Sequence, residues 1–266
     1  MAQVATEHVL AALTPIWHKR PETASRVRGR IEAVLTAAKV KGLRDGQNPA
    51  AWKSHLDQLL PGRGKFAPTE HHPALPYSGI PDFFPLLQVA EGTSARALEF
   101  LILTCTRTGE ALGATWQEVN LEGRLWTIPR ERMKAGREHR VPLSAPAVAL
   151  LRKMAAIRQG ELVFRGRDGK AALSNMSLLM TLRRLGRTDL TSHGFRSTFR
   201  DWAAEQTSFP SELAEMALAH VVGDRVEAAY RRGDMLEKRR ALAEAWGAYC
   251  TEPPAGAVPK KAGELN

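Results

Sequence analysis

The residues of this chain that could do chemistry lie mostly in its second half, and they are two arginines, two histidines, a lysine and a tyrosine. In chain order they are Arg107, Lys134, His193, Arg196, His220 and Tyr230. Arginine stays charged and donates two parallel hydrogen bonds to phosphate oxygens, histidine exchanges protons near neutral pH, and a tyrosine hydroxyl can form a covalent intermediate. Together these residue types suit the attack of a tyrosine hydroxyl on a phosphodiester.

Arg107 follows an apolar run, and Glu110 lies three residues after it. This spacing puts both side chains on one face of a helical turn, so we expect Glu110 to hold Arg107 by a charged hydrogen bond. Lys134 lies in a polar stretch that the pattern predicts to be a turn before a strand. Its neighbours Arg132 and Arg137 are candidates to bind backbone phosphates or to substitute for Lys134.

His193 and Arg196 are also three residues apart, so one face of a predicted helix would present both to the same phosphate. Thr191 or Ser192 is suited to cap that helix, which places His193 in the first turn, where the helix dipole favours an anion. We expect a different side of the helix to be buried through its aromatic residues, which are Phe195, Phe199 and Trp202.

His220 closes another predicted helix, and Tyr230 comes ten residues later. A phenol has a pKa of about 10 and is a poor nucleophile at neutral pH unless its surroundings are positively charged. Arg231 and Arg232 follow Tyr230 directly and would supply part of that charge. Arg231 is also a candidate DNA contact.

The order and local sequences of these residues resemble those of the tyrosine recombinases, most closely the integrases of prophages and genomic islands. The motifs that carry the resemblance are Cys-Thr-Arg107-Thr-Gly-Glu, His193-Gly-Phe-Arg, Leu-Ala-His220 and Ala-Ala-Tyr230-Arg-Arg, and the resemblance covers residues 13–250. It implies site-specific DNA recombination, the integration or excision of a mobile element, through a 3′-phosphotyrosyl intermediate.

The resemblance also implies a role for each residue. It makes Arg107 and Arg196 the phosphate clamps, Tyr230 the nucleophile and Lys134 the general acid for the leaving 5′ oxygen. It leaves proton abstraction open between the two histidines. No metal or cofactor is expected, because the phosphotyrosyl bond conserves the bond energy, and the sequence has neither a zinc-ligand spacing nor a glycine-rich nucleotide loop.

The partners that the resemblance implies are double-stranded DNA attachment sites, a homotetramer assembled on DNA, and an accessory DNA-bending or excision factor. The last predicted helix, 236–249, would either pack within its own subunit or dock on a neighbour. Two other functions stay open. One is relaxation of DNA in the manner of a type IB topoisomerase, and the other is that of an N-terminally shortened integrase that only binds DNA.

The composition favours a polyanion as partner, because the chain carries a net charge of +10 and has a pI of about 10.0. Arg26 and Arg30 lie on one face of an early predicted helix and are further candidate DNA contacts. Two well-separated cysteines in apolar surroundings indicate reduced, buried thiols. The sequence lacks a long uncharged apolar run and an export leader. We therefore expect a cytoplasmic protein with no membrane segment, and the resemblance implies that it is bacterial and nucleoid-associated.

The apolar pattern predicts a mainly α fold with one small antiparallel β-sheet (α+β). The composition predicts a basic linker rich in proline at 61–76 and a disordered tail at 251–266. The resemblance implies that residues 1–60 form part of a helical, SAM-like core-binding domain and that residues 77–250 form a tyrosine-recombinase catalytic domain. Early helices are predicted at 6–13, 24–41 and 48–60, with Pro15 interrupting the first. Strands are predicted at 119–121, 124–129 and 139–143. Later helices are predicted at 94–104, 109–116, 145–157, 174–185, 193–205, 211–219, 226–230 and 236–249.

Overall fold

The computed structural model describes residues 3–62, 73–166, 169, 171–220 and 233–252. It divides into two compact units, Met1–His71 and His72–Asn266. The described elements are mostly helices, with one three-stranded antiparallel sheet, so the predicted fold class is confirmed. Most of the predicted linker, the helix predicted at 226–230 and nearly all of the predicted tail lie outside the described residues. The domain boundaries stay predictions.

The first unit is built on two helices, α1 (Thr6–Trp17) and α2 (Pro21–Val40), which pack against each other. The prediction that Pro15 interrupts the first helix is wrong, because α1 continues through it to Trp17. The Trp17 side chain is buried and donates a hydrogen bond to the Pro61 carbonyl. This packing holds the last turn in place although proline lacks one backbone donor.

The predicted third helix, 48–60, is also wrong, since only Leu56–Gln58 forms a short 3-10 turn there. Asn48 instead folds back on α2, where its amide donates to the Glu32 carbonyl at 2.7 Å and its Oδ1 accepts from Ala50 N at 2.9 Å. Ser54 then takes a positive φ of 59°, which interrupts a helix. Polar side-chain contacts to the backbone therefore replace helical bonds in this stretch.

The second unit is organised around a buried helix, α4 (Thr93–Thr104), which α3 (Ile80–Val89) precedes. Pro81 and Pro85 obscure α3 in the sequence, and the helix was not predicted. Proline is nevertheless compatible with the first helical turn, where Pro81 lies. α5 (Thr108–Leu112) follows α4, and its N-terminus carries Arg107.

The sheet contains β1 (Val119–Asn120), β2 (Leu125–Ile128) and β3 (His139–Pro142), in that order and all antiparallel. Trp126 pairs with Val141, and Ile128 pairs with His139. All four of these side chains are buried. The buried face of the hairpin therefore ends at His139, just after the turn that contains Lys134.

The remaining helices complete the core of the second unit. They are α6 (Ala145–Ala156), α7 (Met176–Arg184), α8 (Gly194–Gln206), α9 (Ser211–Ala217) and α10 (Leu236–Thr251). In α10 the side chains of Leu242 and Trp246 are each 1% exposed, and the indole of Trp246 donates to the Ile102 carbonyl of α4 at 2.8 Å. Of the two arrangements left open for this helix, the structure has packing within the chain.

The cysteines Cys105 and Cys250 are free and buried, as predicted. Within the part of the chain that the structure describes, we find no helix long and apolar enough to span a membrane.

Candidate active site

Arg107 lies where α4 gives way to α5. The chain leaves α4 through Cys105, whose φ is 55°, and Arg107 then caps the N-terminus of α5. The buried carboxylate of Glu110 accepts hydrogen bonds from the Arg107 backbone N at 2.8 Å and from its guanidinium at 2.9 Å. The charged hydrogen bond expected between these two residues is present. It fixes the guanidinium at the start of the helix.

Arg196 lies on α8 and is buried, with 5% of its surface exposed. Its guanidinium donates to the Cys105 carbonyl at 2.5 Å, to the Leu218 carbonyl at 2.6 Å and to Nε2 of His220 at 3.1 Å. The expectation that Arg196 lies away from the buried side of α8 is wrong, because the guanidinium reaches between the ends of α4 and α9. Arg196 thereby ties these two ends together.

The two guanidinium groups are close enough to affect each other. Burial lowers the pKa of Arg196, and the positive charge of Arg107 lowers it further. Glu110 and Glu215 oppose this effect, but the pKa of Arg196 stays below its ordinary value. An anion placed next to both arginines would relieve their repulsion, so the fold favours binding of a group such as phosphate.

His220 follows the end of α9. Ala219 takes a positive φ of 51°, and its backbone N donates to Met216 O at 3.0 Å while the backbone N of His220 donates to Glu215 O at 2.9 Å. This pair of bonds is a Schellman motif, which ends a helix. It turns His220 toward Arg196, and the Ala219 carbonyl accepts from Arg107 at 3.4 Å.

His193 is exposed and lies at the N-cap of α8. The prediction that Thr191 or Ser192 is the cap and His193 lies in the first turn is wrong, because His193 itself is the N-cap residue. The Thr191 hydroxyl nevertheless accepts a hydrogen bond from Gly194 N at 3.1 Å. Ser192 and Thr108 approach to 3.1 Å through their hydroxyls. This contact places the N-terminus of α8 beside that of α5, next to Arg107.

Gly194 allows this helix start to pack directly on the chain at residues 73–75. A Cβ atom at Gly194 would lie 2.2 Å from the Pro73 carbonyl oxygen and 2.9 Å from Ala74 Cα. We expect Gly194→Ala to lower the free energy of unfolding by about 1–3 kcal/mol, because one backbone must move away from the other. Urea denaturation measures the loss. Gly109→Ala is the control, since nothing lies within 4 Å of its added Cβ. Equal stability of the two variants would contradict the prediction.

Lys134 is exposed in the turn between β2 and β3, where Gly136 N donates to Met133 O at 2.9 Å. Arg137 is exposed in the same turn. Arg132, by contrast, forms an ion pair with Glu118 and donates to the Glu110 carbonyl at 2.6 Å. This arrangement favours a structural role for Arg132 over the predicted phosphate contact. It also ties the start of the turn to α5.

The other predicted site residues belong to the first unit or lie outside the described chain. Arg26 and Arg30 are exposed on α2, where Arg26 forms an ion pair with Glu22. Tyr230 and Arg231 lie outside the described residues. The roles of all these residues stay predictions.

Two further residues contact the cluster and were not predicted. Glu215 contacts the ring of His220 at 2.6 Å. His139 is buried under the end of α9 and lies 3.3 Å from the Ala217 carbonyl, and burial, with the charge of Arg239, lowers its pKa to about 4. Glu215 could have been found from the sequence if the end of α9 had been recognised. Glycine usually marks such a helix end, and this chain has alanine at position 219 instead.

Among the residues that the structure describes, no group of three or more His, Cys, Asp or Glu side chains could hold a metal ion. The cluster is instead made of guanidinium and imidazole groups with one buried carboxylate. Such groups bind anions and transfer protons.

Comparison with known families gives two matches. Residues 85–237 match the phage integrase family, and residues 1–55 match the phage integrase central domain. The chain is 34% identical over 246 residues to the prophage integrase IntZ of Escherichia coli K12, covering 91% of this chain and 59% of that protein. It is 29% identical to the integrase of Enterobacteria phage P4, covering 93% of this chain and 59% of that protein. The chain therefore spans about three fifths of the length of these relatives.

Solved structures share the fold. A lambda integrase dimer bound to a COC′ core site superposes with a TM-score of 0.62 at 17% identity, covering 85% of this chain and 82% of that one. The Tn1549 transposon integrase in complex with circular intermediate DNA superposes with a TM-score of 0.57 at 15% identity, covering 87% of this chain and 86% of that one. At these identities the likeness establishes the fold.

Proposed function

Because this chain belongs to the phage integrase family, we propose that it cuts and rejoins DNA at specific sites as a tyrosine recombinase. The observation that carries the proposal is the pair of guanidinium groups, Arg107 and Arg196, held at the ends of α4, α5 and α9 with His220 in contact. This is a preformed site for one phosphate group. Its rigidity comes from Glu110 and from the backbone carbonyls that hold Arg196.

The chemistry we propose is attack by the Tyr230 hydroxyl on the scissile phosphate. Extra negative charge on the non-bridging oxygens in the transition state would be stabilised by Arg107 and Arg196. His193, at the N-terminus of α8, would contact the same phosphate. Lys134 would protonate the leaving 5′ oxygen from the tip of its turn. The products would be a 3′-phosphotyrosyl bond and a free 5′ hydroxyl, which attacks in turn to form a new connection.

The partners that we propose are double-stranded DNA attachment sites and further copies of this chain, four in the assembled complex. A lambda integrase tetramer bound to a Holliday junction, with the same fold, supports this assembly. Arg26, Arg30, Arg137 and Arg231 are proposed to contact the DNA backbone. We further propose that an accessory DNA-bending factor takes part and that the protein works at the bacterial nucleoid.

The test is covalent capture. The whole chain is incubated with nicked duplexes tiled across the chromosomal DNA that flanks its gene. After cleavage of such a duplex, the short piece that carries the new 5′ hydroxyl dissociates, so the strand cannot be rejoined. We expect a protein–DNA adduct, which peptide mass spectrometry maps to Tyr230 and which Tyr230→Phe does not form. Absence of any adduct, or an adduct on another residue, would contradict the proposal. Unnicked partner sites then separate strand exchange from mere relaxation of supercoiled DNA.

A further inference from the structure

His220 is held twice by one residue, Glu215. Oε2 of Glu215 lies 2.6 Å from Nδ1 of His220, and the Glu215 carbonyl accepts the His220 backbone N–H at 2.9 Å. The backbone bond belongs to the Schellman motif that ends α9. One glutamate therefore fixes both the backbone and the ring of this histidine.

The second ring nitrogen of His220 faces a cation, because Nε2 lies 3.1 Å from Nη2 of Arg196. A guanidinium has only donors and an ionised carboxylate has only acceptors. Nε2 must therefore accept a hydrogen bond from Arg196, and Nδ1 must donate one to Glu215. Both neighbours select the same neutral tautomer, which has its hydrogen on Nδ1 and a lone pair on Nε2.

The carboxylate of Glu215 is itself held in place. Its Oε1 lies 2.6 Å from Nε of Arg200, which is on α8 one turn after Arg196. Partial burial alone would raise the pKa of Glu215, but the contacts with His220 and Arg200 outweigh this effect and keep the pKa below its ordinary value. Glu215 is therefore ionised at neutral pH and bridges α8 to α9.

We infer that Glu215 is a positioning residue, which keeps the Nε2 lone pair of His220 turned toward the arginine site and thereby equips His220 to be the proton acceptor. This inference rests on the proposed function and goes beyond it, because neither the sequence nor the family resemblance divides proton abstraction between the two histidines. The arrangement matches the role of the carboxylate in a Ser-His-Asp triad, which selects the tautomer and stabilises the imidazolium.

The cleavage step can then be written in full. When phosphate enters, Arg196 keeps its bonds to the Cys105 and Leu218 carbonyls and gives up only the 3.1 Å hydrogen bond to Nε2 of His220, whose lone pair is then free. The O–H bond of Tyr230 breaks as its oxygen bonds to phosphorus, and the proton moves to Nε2 of His220. The bond from phosphorus to the 5′ oxygen breaks, and that oxygen takes a proton from Lys134. The imidazolium keeps its Nδ1–H bond to Glu215.

The tautomer can be measured without any DNA. In the whole chain labelled with ¹⁵N-histidine, long-range ¹H–¹⁵N NMR distinguishes a protonated from an unprotonated ring nitrogen, and loss of one signal set in His220→Gln assigns the residue. Above neutral pH we expect His220 to carry its hydrogen on Nδ1, and we expect this preference to weaken in Glu215→Ala. A neutral ring with its hydrogen on Nε2 would overturn the inference, whatever the outcome of covalent capture.

Kinetics test the consequence. With a nicked duplex that gives the Tyr230 adduct, we expect Glu215→Gln to lower the single-turnover cleavage rate by about 100-fold, at the low end of what a general base contributes, with DNA affinity unchanged. The charge-matched control is Glu237→Gln, whose carboxylate is exposed on α10, and it should cleave at the wild-type rate. If wild type itself gives no adduct, the proposed function fails, and the tautomer measurement still stands.

Discussion

Arg196→Ala is expected to lower the rate of DNA cleavage by about 100- to 1000-fold, the usual cost of removing one well-placed donor from a charged transition state. Arg196 is buried and held by two carbonyls, so its position is fixed before substrate binds. That preorganisation is what makes a donor effective, because nothing has to be ordered during the reaction. Single-turnover formation of the Tyr230 adduct measures the loss.

The same substitution should also destabilise the fold, because the Cys105 and Leu218 carbonyls lose a charged donor. The free energy of unfolding should fall by about 1–3 kcal/mol, measured by urea denaturation.

A change in the substrate separates the effect on the cleavage rate from the effect on folding. If a methyl group replaces one non-bridging oxygen of the scissile phosphate, the phosphate loses one negative charge, so Arg196 has less charge to stabilise. The ratio of wild-type to variant rates should then fall toward one. An equal loss on both substrates would mean that the rate reports only folding.

Much of the candidate site could be predicted from local sequence. The three-residue spacings of Arg107 with Glu110 and of His193 with Arg196 depend only on helical geometry, and the structure places each pair at a helix start. The small sheet also follows from local pattern, because alternating residues around polar turns predict a hairpin. These features were predicted because each needs contacts only between near neighbours in the chain.

Long-range contacts explain what the sequence did not predict. Arg196 was expected on an open face, but its partners are Cys105 and Leu218, which lie far away along the chain. The contacts of Arg132 with Glu118 and with the backbone of α5 were likewise not predicted, and its DNA contact stays a prediction. The sequence alone does not show whether an arginine is buried or exposed. A buried arginine needs hydrogen-bond partners, and the tertiary fold decides whether they are available.

Two helix predictions were wrong for a related reason. Residues 48–60 have a helical pattern but do not form the predicted helix, because the amide of Asn48 bonds to the backbone of α2. At 211–219 the helix stops two residues early, because Ala219 takes a conformation that glycine usually supplies. That early stop is what brings His220 back over Glu215. The unexpected helix end is therefore also the part of the site that yields the proton-acceptor assignment.

Lys134→Ala is expected to slow cleavage by about 100- to 10,000-fold, the range for loss of a positioned general acid. The alkoxide that leaves from the 5′ position is a strong base and needs a proton as its bond to phosphorus breaks. Lys134 is exposed at a turn, so the free energy of unfolding should change by less than about 0.5 kcal/mol. Loss of rate without loss of stability is the first part of this prediction.

The second part uses a substrate that needs no acid. With sulfur in place of the bridging 5′ oxygen, the leaving group is a thiolate, whose conjugate acid has a pKa of only about 8.5. Lys134→Ala should cleave this substrate at close to the wild-type rate, whereas Arg196→Ala should stay slow, because the charge on the non-bridging oxygens is unchanged.

Lys153→Ala, which removes an equal charge from an exposed position on α6, should cleave both substrates like wild type. If the sulfur substrate rescues Arg137→Ala and not Lys134→Ala, the proton comes from Arg137. Only one cation of this turn can donate the proton to the leaving 5′ oxygen in a given cleavage event. The substrate with the bridging sulfur identifies that residue.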